Sequence, residues 1–380
     1  MSGQPAQEQT ADAPQRPAHR RVAAVWLALM AVGMAYAVAQ LKGRDAVPAF
    51  NASSAWVGKA ARGVEEGLQL PFKEPLETAD AAWRFRMLGQ LGPQVLQGCP
   101  GWLFYADGLR SPAGTDLVQA QAVRVQVMQK VASALRERGV QLLVVTVPDK
   151  SRIATEQLCG LSRPAPSQMQ LEGFVQALDE AGVVHVDLRR ALAEETLPLP
   201  YYRTDVHLDQ TGAERAARAV ADTARPLLGG EGTQEYTISE AATEQSRMGD
   251  LIVLAGLERA PDGWRPALDK EVPQTIEMVA SGGLLDDGPT ARVLLAGSSN
   301  SRRSNFAEQL GRHLHEPILN QSRDGGKFAD AVLDVLKTPL PDGLQLVVWE
   351  LSEMSLLQPL SALERETVGM PSAANASQGH

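Results

Sequence analysis

The stretch VQLLVVTV, from Val140 to Val147, is an unbroken run of aliphatic and β-branched residues. A run without polar alternation is typical of a strand that is buried on both faces, as in a parallel sheet. Four later segments also read as strands: Val183–Leu188, Ala291–Ala296, Pro317–Asn320 and Leu344–Glu350. Helical segments alternate with them, which predicts an α/β fold, a three-layer α/β sandwich with a mostly parallel sheet.

Five segments read as helices: Asp116–Arg138, Ser167–Ala181, Asp209–Leu228, Asn305–His315 and Lys327–Lys337. The first two end at Gly139 and Gly182, and glycine is a common helix stop. The pattern loosens over residues 229–289, where Gly, Pro and acidic residues surround a strand-like piece at Asp250–Ala255. We predict that residues 229–289 are an insertion that forms a lid or a small β-subdomain.

The amino terminus has the pattern of a membrane or export segment. Residues 1–21 are rich in Gln, Ala and Pro, which predicts a disordered cytoplasmic tail. Residues 22–39 are apolar and follow basic residues, so we expect a helix that tethers the chain to the inner membrane and leaves its bulk in the periplasm. Because this run is short and ends in small residues, a signal segment cleaved near Ala39 is the alternative.

Composition indicates how the rest of the chain is divided and which classes of function are excluded. Residues 40–79 read as a linker, residues 80–360 as one folded domain that contains the insertion, and residues 361–380 as a disordered tail. The formal net charge of −9 and the lack of a long basic stripe argue against a nucleic-acid partner. The sequence has no phosphate-binding glycine motif and no Cys/His spacing of a metal site, so we expect neither a cofactor nor a metal.

The chain contains two cysteines, Cys99 and Cys159. In an oxidising compartment such a pair can form one disulfide. Two separate buried thiols are the alternative, and the spacing does not decide between them.

A serine-rich turn follows the strand Ala291–Ala296. The stretch LAGSSNS, from Leu295 to Ser301, places Ser299 just beyond the carboxyl end of the strand, where the crevice of an open α/β sheet lies. Amides at the start of the following helix can hold a developing oxyanion, so Ser299 is a candidate nucleophile. The alternative is that Ser298, Ser299 and Ser301 only cap that helix.

Asp205 and His207 stand two residues apart in the stretch TDVH, from Thr204 to His207. In extended backbone their side chains face the same side, so the carboxylate can orient the imidazole. With Ser299 they supply nucleophile, base and orienter, the three roles of acyl transfer through a hydroxyl. The alternative is a helix amino terminus with acidic first-turn residues and an incidental histidine.

Four short motifs, in order along the chain, are similar to those of a known family. They are Gly101–Tyr105 (GWLFY), Val147–Ser151 (VPDKS), Tyr202–His207 (YRTDVH) with Gly212 and Ala213, and Gly297–Ser301 (GSSNS) with Asn305 and Phe306. On these motifs the sequence resembles the SGNH-hydrolase-like proteins of bacterial exopolysaccharide O-acetylation, the alginate O-acetyltransferase group. The resemblance covers about Gly98 to Leu357 and implies an SGNH-like fold with permuted motif order.

The resemblance also implies roles for individual residues. Ser299 would be the nucleophile, His207 the base and Asp205 its orienter. Two positions depart from the family pattern: Leu208 stands where tryptophan is usual, and Asn300 stands where an aromatic residue is usual.

Six further residues are candidates for the oxyanion hole or the substrate site: Gly297, Gly325, Gly326, Arg302, Arg303 and Lys150. The loop that contains Gly325 and Gly326 matches a glycine-rich loop of the family, with an ordinary turn as the alternative. Arg302 and Arg303 would favour an anionic polymer, or they are solvated surface charges. We interpret Lys150 as a solvated loop charge, with a site-facing lysine as the alternative.

The activity that the resemblance implies is O-acetyl transfer to an exported polysaccharide through an acetyl-serine intermediate. The acetyl donor would be a membrane-bound O-acyltransferase, and other exopolysaccharide export proteins would be partners. Little sequence remains after the last strand for a carbohydrate-binding module, which favours the short, membrane-anchored branch of the family. The alternatives are an acetyl esterase with the same triad and a non-catalytic scaffold of the export complex.

Overall fold

The structure is a computed structural model that describes residues 16–41, 73–110, 116–193, 199–280 and 291–371. The chain divides into two compact units, residues 1–77 and residues 78–380. The predictions made for residues 1–15 and for most of the linker lie outside the described residues, as do those for the last part of the insertion and for residues 372–380.

Helices and strands alternate through much of the chain. The helices are α1 (Arg16–Leu41), α2 (Lys73–Leu88), α3 (Leu117–Glu137), α4 (Lys150–Ile153), α5 (Ala165–Glu180), α6 (Arg189–Leu192), α7 (Gln210–Leu227), α8 (Asp250–Leu254), α9 (Phe306–Leu314), α10 (Asp330–Leu336) and α11 (Ala362–Thr367). The strands are β1 (Val95–Gln97), β2 (Leu103–Tyr105), β3 (Gln141–Val147), β4 (His185–Asp187), β5 (Tyr236–Glu240), β6 (Gln245–Arg247), β7 (Asp269–Glu271), β8 (Gln274–Met278), β9 (Val293–Ala296), β10 (Ile318–Asn320) and β11 (Leu346–Ser352). Short 3₁₀ turns cover Ala106–Leu109, Thr155–Leu158, Ser299–Arg302 and Glu353–Leu357.

Helix α1 contains the apolar run that the sequence predicts as a membrane anchor or signal. Among the ranges that the structure describes, no helix is both long and apolar enough to span a bilayer, so the predicted anchor is not confirmed. Helix α2 begins at Lys73, so the last residues of the predicted linker are helical.

Five parallel strands form the central sheet, in the order β10-β9-β11-β3-β4. Trp349 of β11 pairs with Ala296 of β9 on one side and with Val144 of β3 on the other. Because the strands run in the same direction, their carboxyl ends lie at one edge of the sheet. The predicted α/β fold with a mostly parallel sheet is confirmed.

Helices cover both faces of this sheet, because successive side chains of a strand point to opposite faces. In β11, Val347 packs in the core that α3, α5 and α10 cover, and Val348 packs in the core that α7 and α9 cover. Both side chains are fully buried, and burial of each contributes roughly 1.5–3 kcal/mol. Burial on both faces explains why the inner strands β3, β9 and β11 are mostly apolar in the sequence.

The described part of the insertion, residues 229–280, contains two two-stranded antiparallel sheets, β5 with β8 and β6 with β7. Its apolar piece at Asp250–Ala255 forms helix α8, so the predicted strand there is wrong. The neighbours Leu251 and Ile252 are both fully buried in a core cluster that includes Leu103 of β2. A run this short does not distinguish helix from strand by its periodicity, and these tertiary contacts decide.

The carboxyl-terminal segment is ordered further than predicted. Helix α11 starts with a capping box, in which Ser361 and Glu364 each bind the backbone amide of the other. Arg124 of α3 donates to Glu364 at 3.0 Å, and both side chains are buried. The predicted disordered tail over residues 361–380 is therefore wrong for residues 361–371.

Cys99 and Cys159 form a disulfide. The bond joins the loop before β2 to the residue that ends the 3₁₀ turn Thr155–Leu158. The amide of Cys99 also donates to the carbonyl of Gln157 at 2.8 Å. Of the two alternatives that the sequence left open, the structure has the disulfide.

Candidate active site

Asp205 and His207 lie on a bend of the chain and not on the extended backbone that the sequence predicted. Asp205 Oδ1 accepts hydrogen bonds from the backbone amide of His207 at 3.2 Å and from its Nδ1 at 2.7 Å. A carboxylate that binds the amide two residues on is typical of an Asx-turn, which aspartate favours locally. The bend therefore brings the carboxylate and the imidazole together, as extended backbone was expected to do.

Ser299 is the third member of this arrangement. It begins the 3₁₀ turn that follows strand β9, and its Oγ lies 2.8 Å from His207 Nε2. Because Nδ1 is bound to Asp205, Nε2 is left to accept the hydroxyl proton. Asp205, His207 and Ser299 form a continuous hydrogen-bonded chain at the carboxyl edge of the sheet.

The other two serines of the turn have different partners. Ser298 Oγ accepts from the amide of Asn300 at 3.2 Å and caps the 3₁₀ turn. Ser301 is fully buried and donates to Glu350 at 2.8 Å. The capping interpretation thus applies to Ser298, whereas the hydroxyl of Ser299 reaches the imidazole.

Glu350 of β11 is a site residue that the sequence analysis missed. Its carboxylate accepts hydrogen bonds from Ser298 N at 2.6 Å, from Ser298 Oγ at 3.0 Å and from Ser301 Oγ at 2.8 Å. The side chain is 2% exposed, and burial raises its pKa above the usual value. A carboxylate in an otherwise apolar strand, close to its carboxyl end, was the signal available in the sequence.

Gly297 allows Glu350 to approach the serine turn. A Cβ atom at position 297 would lie 2.4 Å from Glu350 Oε2 and 2.6 Å from Ser301 Oγ, closer than real Cβ contacts. Any larger residue would push the carboxylate away from the turn. Gly297 was predicted as an oxyanion candidate, and the structure places it under the turn, in contact with the carboxylate.

Burial and neighbouring charges shift the pKa of the Asp205 carboxyl in opposite directions. Burial alone would raise the pKa of its carboxyl, but the hydrogen bond and charge of His207, followed by the charge of Arg247, hold the pKa well below its usual range. Arg247 Nη1 lies 2.7 Å from Asp205 Oδ2. Asp250, with Oδ2 at 3.5 Å from His207 Nδ1, adds a second carboxylate. Arg247 and Asp250 were not predicted as site residues, because the insertion carries no recognisable motif.

Lys150 is buried beneath the bend, so the prediction of a solvated loop charge is wrong. Its Nζ donates to the carbonyls of Leu103 at 2.7 Å, Arg203 at 2.7 Å and Asp205 at 3.0 Å. Burial lowers its pKa to about 7. Because three carbonyls take up the three N–H groups of the ammonium, Lys150 holds the bend in place and has none left for a substrate.

Gly325 and Gly326 line a cavity of about 220 Å³ together with Ser299 and His207. Gly325 has a positive φ of 68°, a conformation that favours glycine. The two glycines therefore present bare backbone to the cavity in which the serine hydroxyl lies.

Arg302 and Arg303 lie beside the turn, with side chains that are 52% and 43% exposed. Each guanidinium is 3.8 Å from the carboxylate of Asp324, and exposed ion pairs at this distance contribute little to stability. The structure thus leaves both arginines at the surface beside the serine turn.

The two departures from the family pattern have different positions. Leu208 is 3% exposed and packs in the core against the helix layer of α7 and α9. Asn300 lines the small cavity beside Ser299. Of the two departures, the one at Asn300 thus changes the lining of the site.

Asp205, His207 and Asp250 are also possible metal ligands, since their ligand atoms lie within 4.8 Å of one another. Both oxygens of Asp205 already accept hydrogen bonds, Oδ1 from His207 and Oδ2 from Arg247. A cation bound there would have to compete with the His207 and Arg247 contacts. The contacts therefore favour a hydrogen-bonded chain over a metal centre.

Known proteins are similar to this chain in sequence and in fold. Residues 95–353 match the family model described as "SGNH hydrolase-like domain, acetyltransferase AlgX". The chain is 29% identical over 318 residues to the probable alginate O-acetylase AlgJ of Pseudomonas putida, covering 79% of this chain and 80% of that protein. It is 28% identical over 257 residues to the alginate biosynthesis protein AlgX of the same species, covering 63% of this chain and 52% of that protein.

Solved structures agree with the sequence match. The O-acetyltransferase domain of Pseudomonas putida AlgJ superposes with a TM-score of 0.63 at 25% identity, covering 73% of this chain and 99% of that domain. Pseudomonas aeruginosa AlgX has the same fold, with a TM-score of 0.53 at 22% identity over 69% of this chain and 66% of that chain. Because the family model matches more than half of the chain, the protein belongs to the family of SGNH hydrolase-like acetyltransferase domains of the AlgX type.

Proposed function

We propose that this protein is an O-acetyltransferase that adds acetyl groups to an exported polysaccharide of the alginate type. Family membership and relatives named alginate O-acetylase support the reaction class and the kind of acceptor. The observation that carries the proposal is the distance of 2.8 Å between Ser299 Oγ and His207 Nε2, because it gives the chain an activated hydroxyl.

The reaction has two halves that share one acetyl-serine ester. In the first half, His207 Nε2 takes the proton of Ser299, Oγ attacks the acetyl carbonyl of the donor, and the proton passes to the leaving group as its bond breaks. In the second half, Nε2 takes the proton of a sugar hydroxyl, whose oxygen attacks the acetyl-serine ester. Ser299 leaves with that proton, so the site returns to its starting state.

Each half passes through a tetrahedral oxyanion, which requires hydrogen-bond donors beside Ser299. The bare backbone of Gly325 and Gly326 lines the same cavity, so we assign the oxyanion hole to this loop together with the amide of Ser299. Arg302 and Arg303 lie at the surface next to the turn and are assigned to the acceptor polymer, whose uronate groups would be anionic.

The acetyl donor in this proposal is a membrane-bound O-acyltransferase, and other proteins of polysaccharide export are partners of the same assembly. Relatives named for alginate biosynthesis support such an assembly. The disulfide between Cys99 and Cys159 supports a location in the periplasm, because disulfides persist in oxidising compartments. Helix α1 would then be the tether to the inner membrane or the exported signal.

The test uses the purified full-length chain and 4-nitrophenyl acetate, with and without an added oligosaccharide. Wild-type protein is expected to release nitrophenol and to form acetyl-Ser299, detected by mass spectrometry. Ser299→Ala and His207→Ala should each remove the activity, since the members of a triad act as a unit.

Ser298→Ala is the matched control, because the Ser298 hydroxyl caps the turn and donates to Glu350. A mild loss is expected there. Activity that survives Ser299→Ala but disappears in Ser298→Ala would reject Ser299 as the nucleophile. Hydrolysis that always exceeds transfer to the oligosaccharide would indicate an esterase, and no turnover with no acetyl-serine would indicate a scaffold.

A further inference from the structure

The ribbon of β6 and β7 in the insertion packs on the bend that carries Asp205. Arg247 and Asp269 are paired across this ribbon. Asp269 accepts hydrogen bonds from the amide of Arg203 at 3.2 Å and from the amide of Thr204 at 2.9 Å. One strand of the ribbon therefore fixes the backbone just before Asp205, and the other presents Arg247 to its side chain.

The Arg247 guanidinium contacts Oδ2 of Asp205, the carboxylate oxygen that His207 does not bind. Its Nη1 lies 2.7 Å from Asp205 Oδ2, whereas His207 binds Oδ1. The guanidinium stacks on the ring of Tyr202, 4.1 Å from the centroid, and its Nε lies 3.6 Å from Glu271 Oε1. The tyrosine hydroxyl in turn donates to Glu271. These contacts fix the position of Arg247 before any substrate binds.

Asp205 depends on this contact because the carboxylate is fully buried. A buried carboxylate is costly unless hydrogen bonds and an opposite charge compensate for the lost water. Lys150, the other cation close by, donates to the backbone carbonyl of Asp205 and not to its carboxylate. Arg247 is the cation that directly contacts the carboxylate among the interactions described.

We propose that Arg247 is a positioning residue of the acyl-transfer site, a fourth member of the chain from Ser299 through His207 and Asp205. It holds the carboxylate in the rotamer that faces Nδ1 and compensates its charge. The inference rests on the proposed function, and it makes the site dependent on the insertion, because the ribbon supplies the guanidinium.

The pH profile reports on this role. Other charged groups lie around the His207–Asp205 pair, among them Asp250, Glu350, Glu271 and Lys150. These groups are unchanged in an Arg247 variant. Burial raises the pKa of the Asp205 carboxyl, and the guanidinium is one of the groups that lower it, so removing the guanidinium raises that pKa. The acidic limb of the kcat/KM profile is therefore expected to move to higher pH.

The test measures hydrolysis of 4-nitrophenyl acetate by full-length variants. Arg247→Met is expected to lower kcat/KM roughly 10-fold to 100-fold, the loss of one hydrogen bond to a charged group. Arg247→Lys should recover part of the loss, since it keeps the charge but not the stacked planar group. Arg259→Met, at a side chain of the same insertion that is 64% exposed, is the matched control and should be unchanged.

A double-mutant cycle with Asp205→Asn separates positioning from a general structural effect. In the Asp205→Asn protein, Arg247→Met should lower kcat/KM only slightly further, because the asparagine has no negative charge for Arg247 to compensate. An equal loss in both backgrounds, or an unchanged pH profile, would overturn the proposal.

Thermal unfolding is measured for every variant, and Arg247→Lys replaces Arg247→Met in the cycle if the methionine variant does not fold. The outcomes also separate this inference from the proposed function. An active Ser299→Ala variant would refute the proposed function itself. An inactive Ser299→Ala with a normal Arg247→Met would refute only the role of Arg247.

Discussion

Two buried carboxylates near the serine turn stand in different surroundings. Asp205 contacts an imidazole and a guanidinium, and its pKa lies below the usual range. Glu350 accepts from hydroxyl and amide groups of Ser298 and Ser301, and burial raises its pKa. The first carboxylate is suited to orienting a base, and the second to holding the turn that carries Ser299.

Replacement of Glu350 by glutamine tests this difference through the pH dependence of stability. With a raised pKa, the folded chain binds a proton at Glu350 more tightly than the unfolded chain does. The free energy of unfolding of the wild type therefore falls as pH rises from the ordinary glutamate pKa of 4.5 through the raised pKa. Glutamine stays neutral and keeps a side-chain oxygen for the turn, so Glu350→Gln lacks this dependence.

We expect the stability of Glu350→Gln relative to wild type to increase between about pH 4 and about pH 7. Urea unfolding of both proteins at the two pH values measures the difference between their free energies of unfolding. Other titrating groups cancel in this difference because both proteins share them. A difference in the free energy of unfolding that does not change with pH would contradict the raised pKa of Glu350.

At the scale of elements, the disulfide and Lys150 act on the same loop. Cys99 ties the loop before β2 to the end of the 3₁₀ turn Thr155–Leu158. Lys150 at the start of α4 binds the carbonyl of Leu103 in β2. Both contacts hold β2 against the segment after β3, and the bend with Asp205 rests on the same lysine.

Loss of the disulfide is expected to destabilise the chain without removing the site. The two cysteines are 60 residues apart, and closing a loop of this order contributes about 2–4 kcal/mol. The variant with Cys99→Ser and Cys159→Ser should lose this amount in urea unfolding. A reducing agent should lower the stability of the wild type to that of the variant and leave the variant unchanged. Equal stability of the oxidised wild type and the variant would contradict the prediction.

At the scale of the whole molecule, the segment after β11 returns to a helix of the central domain. Arg124 of α3 binds Glu364 of α11 and the carbonyls of Leu356 and Gln358. The guanidinium also lies 5.5 Å from the ring centroid of Phe328. The segment after β11 therefore closes one face of the fold over a buried cation.

Truncation distinguishes this segment from a dispensable tail. A chain that ends after Leu360 leaves Arg124 without Glu364, and breaking such a buried pair costs roughly 3–5 kcal/mol. A chain that ends after Pro371 keeps every described contact of the segment and is the control. Thermal unfolding should show a clear loss for the first chain and little change for the second. Equal melting temperatures would show that residues 361–371 add no stability.

The sequence by itself determined the features that depend on local pattern. Apolar runs such as Val140–Val147 predicted buried parallel strands, because burial on both faces removes polar alternation. A serine turn after one strand and a carboxylate–imidazole pair in the TDVH stretch predicted which side chains would meet. The parallel sheet brought Ser299 to 2.8 Å from His207.

Only the tertiary structure decided the features that depend on contacts between distant segments. The sequence predicted Lys150 as a solvated charge, but in the fold its ammonium donates to carbonyls of β2 and of the bend. Arg247 and Glu350 contact the site from segments 42 and 52 residues away from their partners Asp205 and Ser298. The physical reason is that burial and pairing of a charge depend on the neighbours that folding supplies, and no local spacing in the chain encodes them.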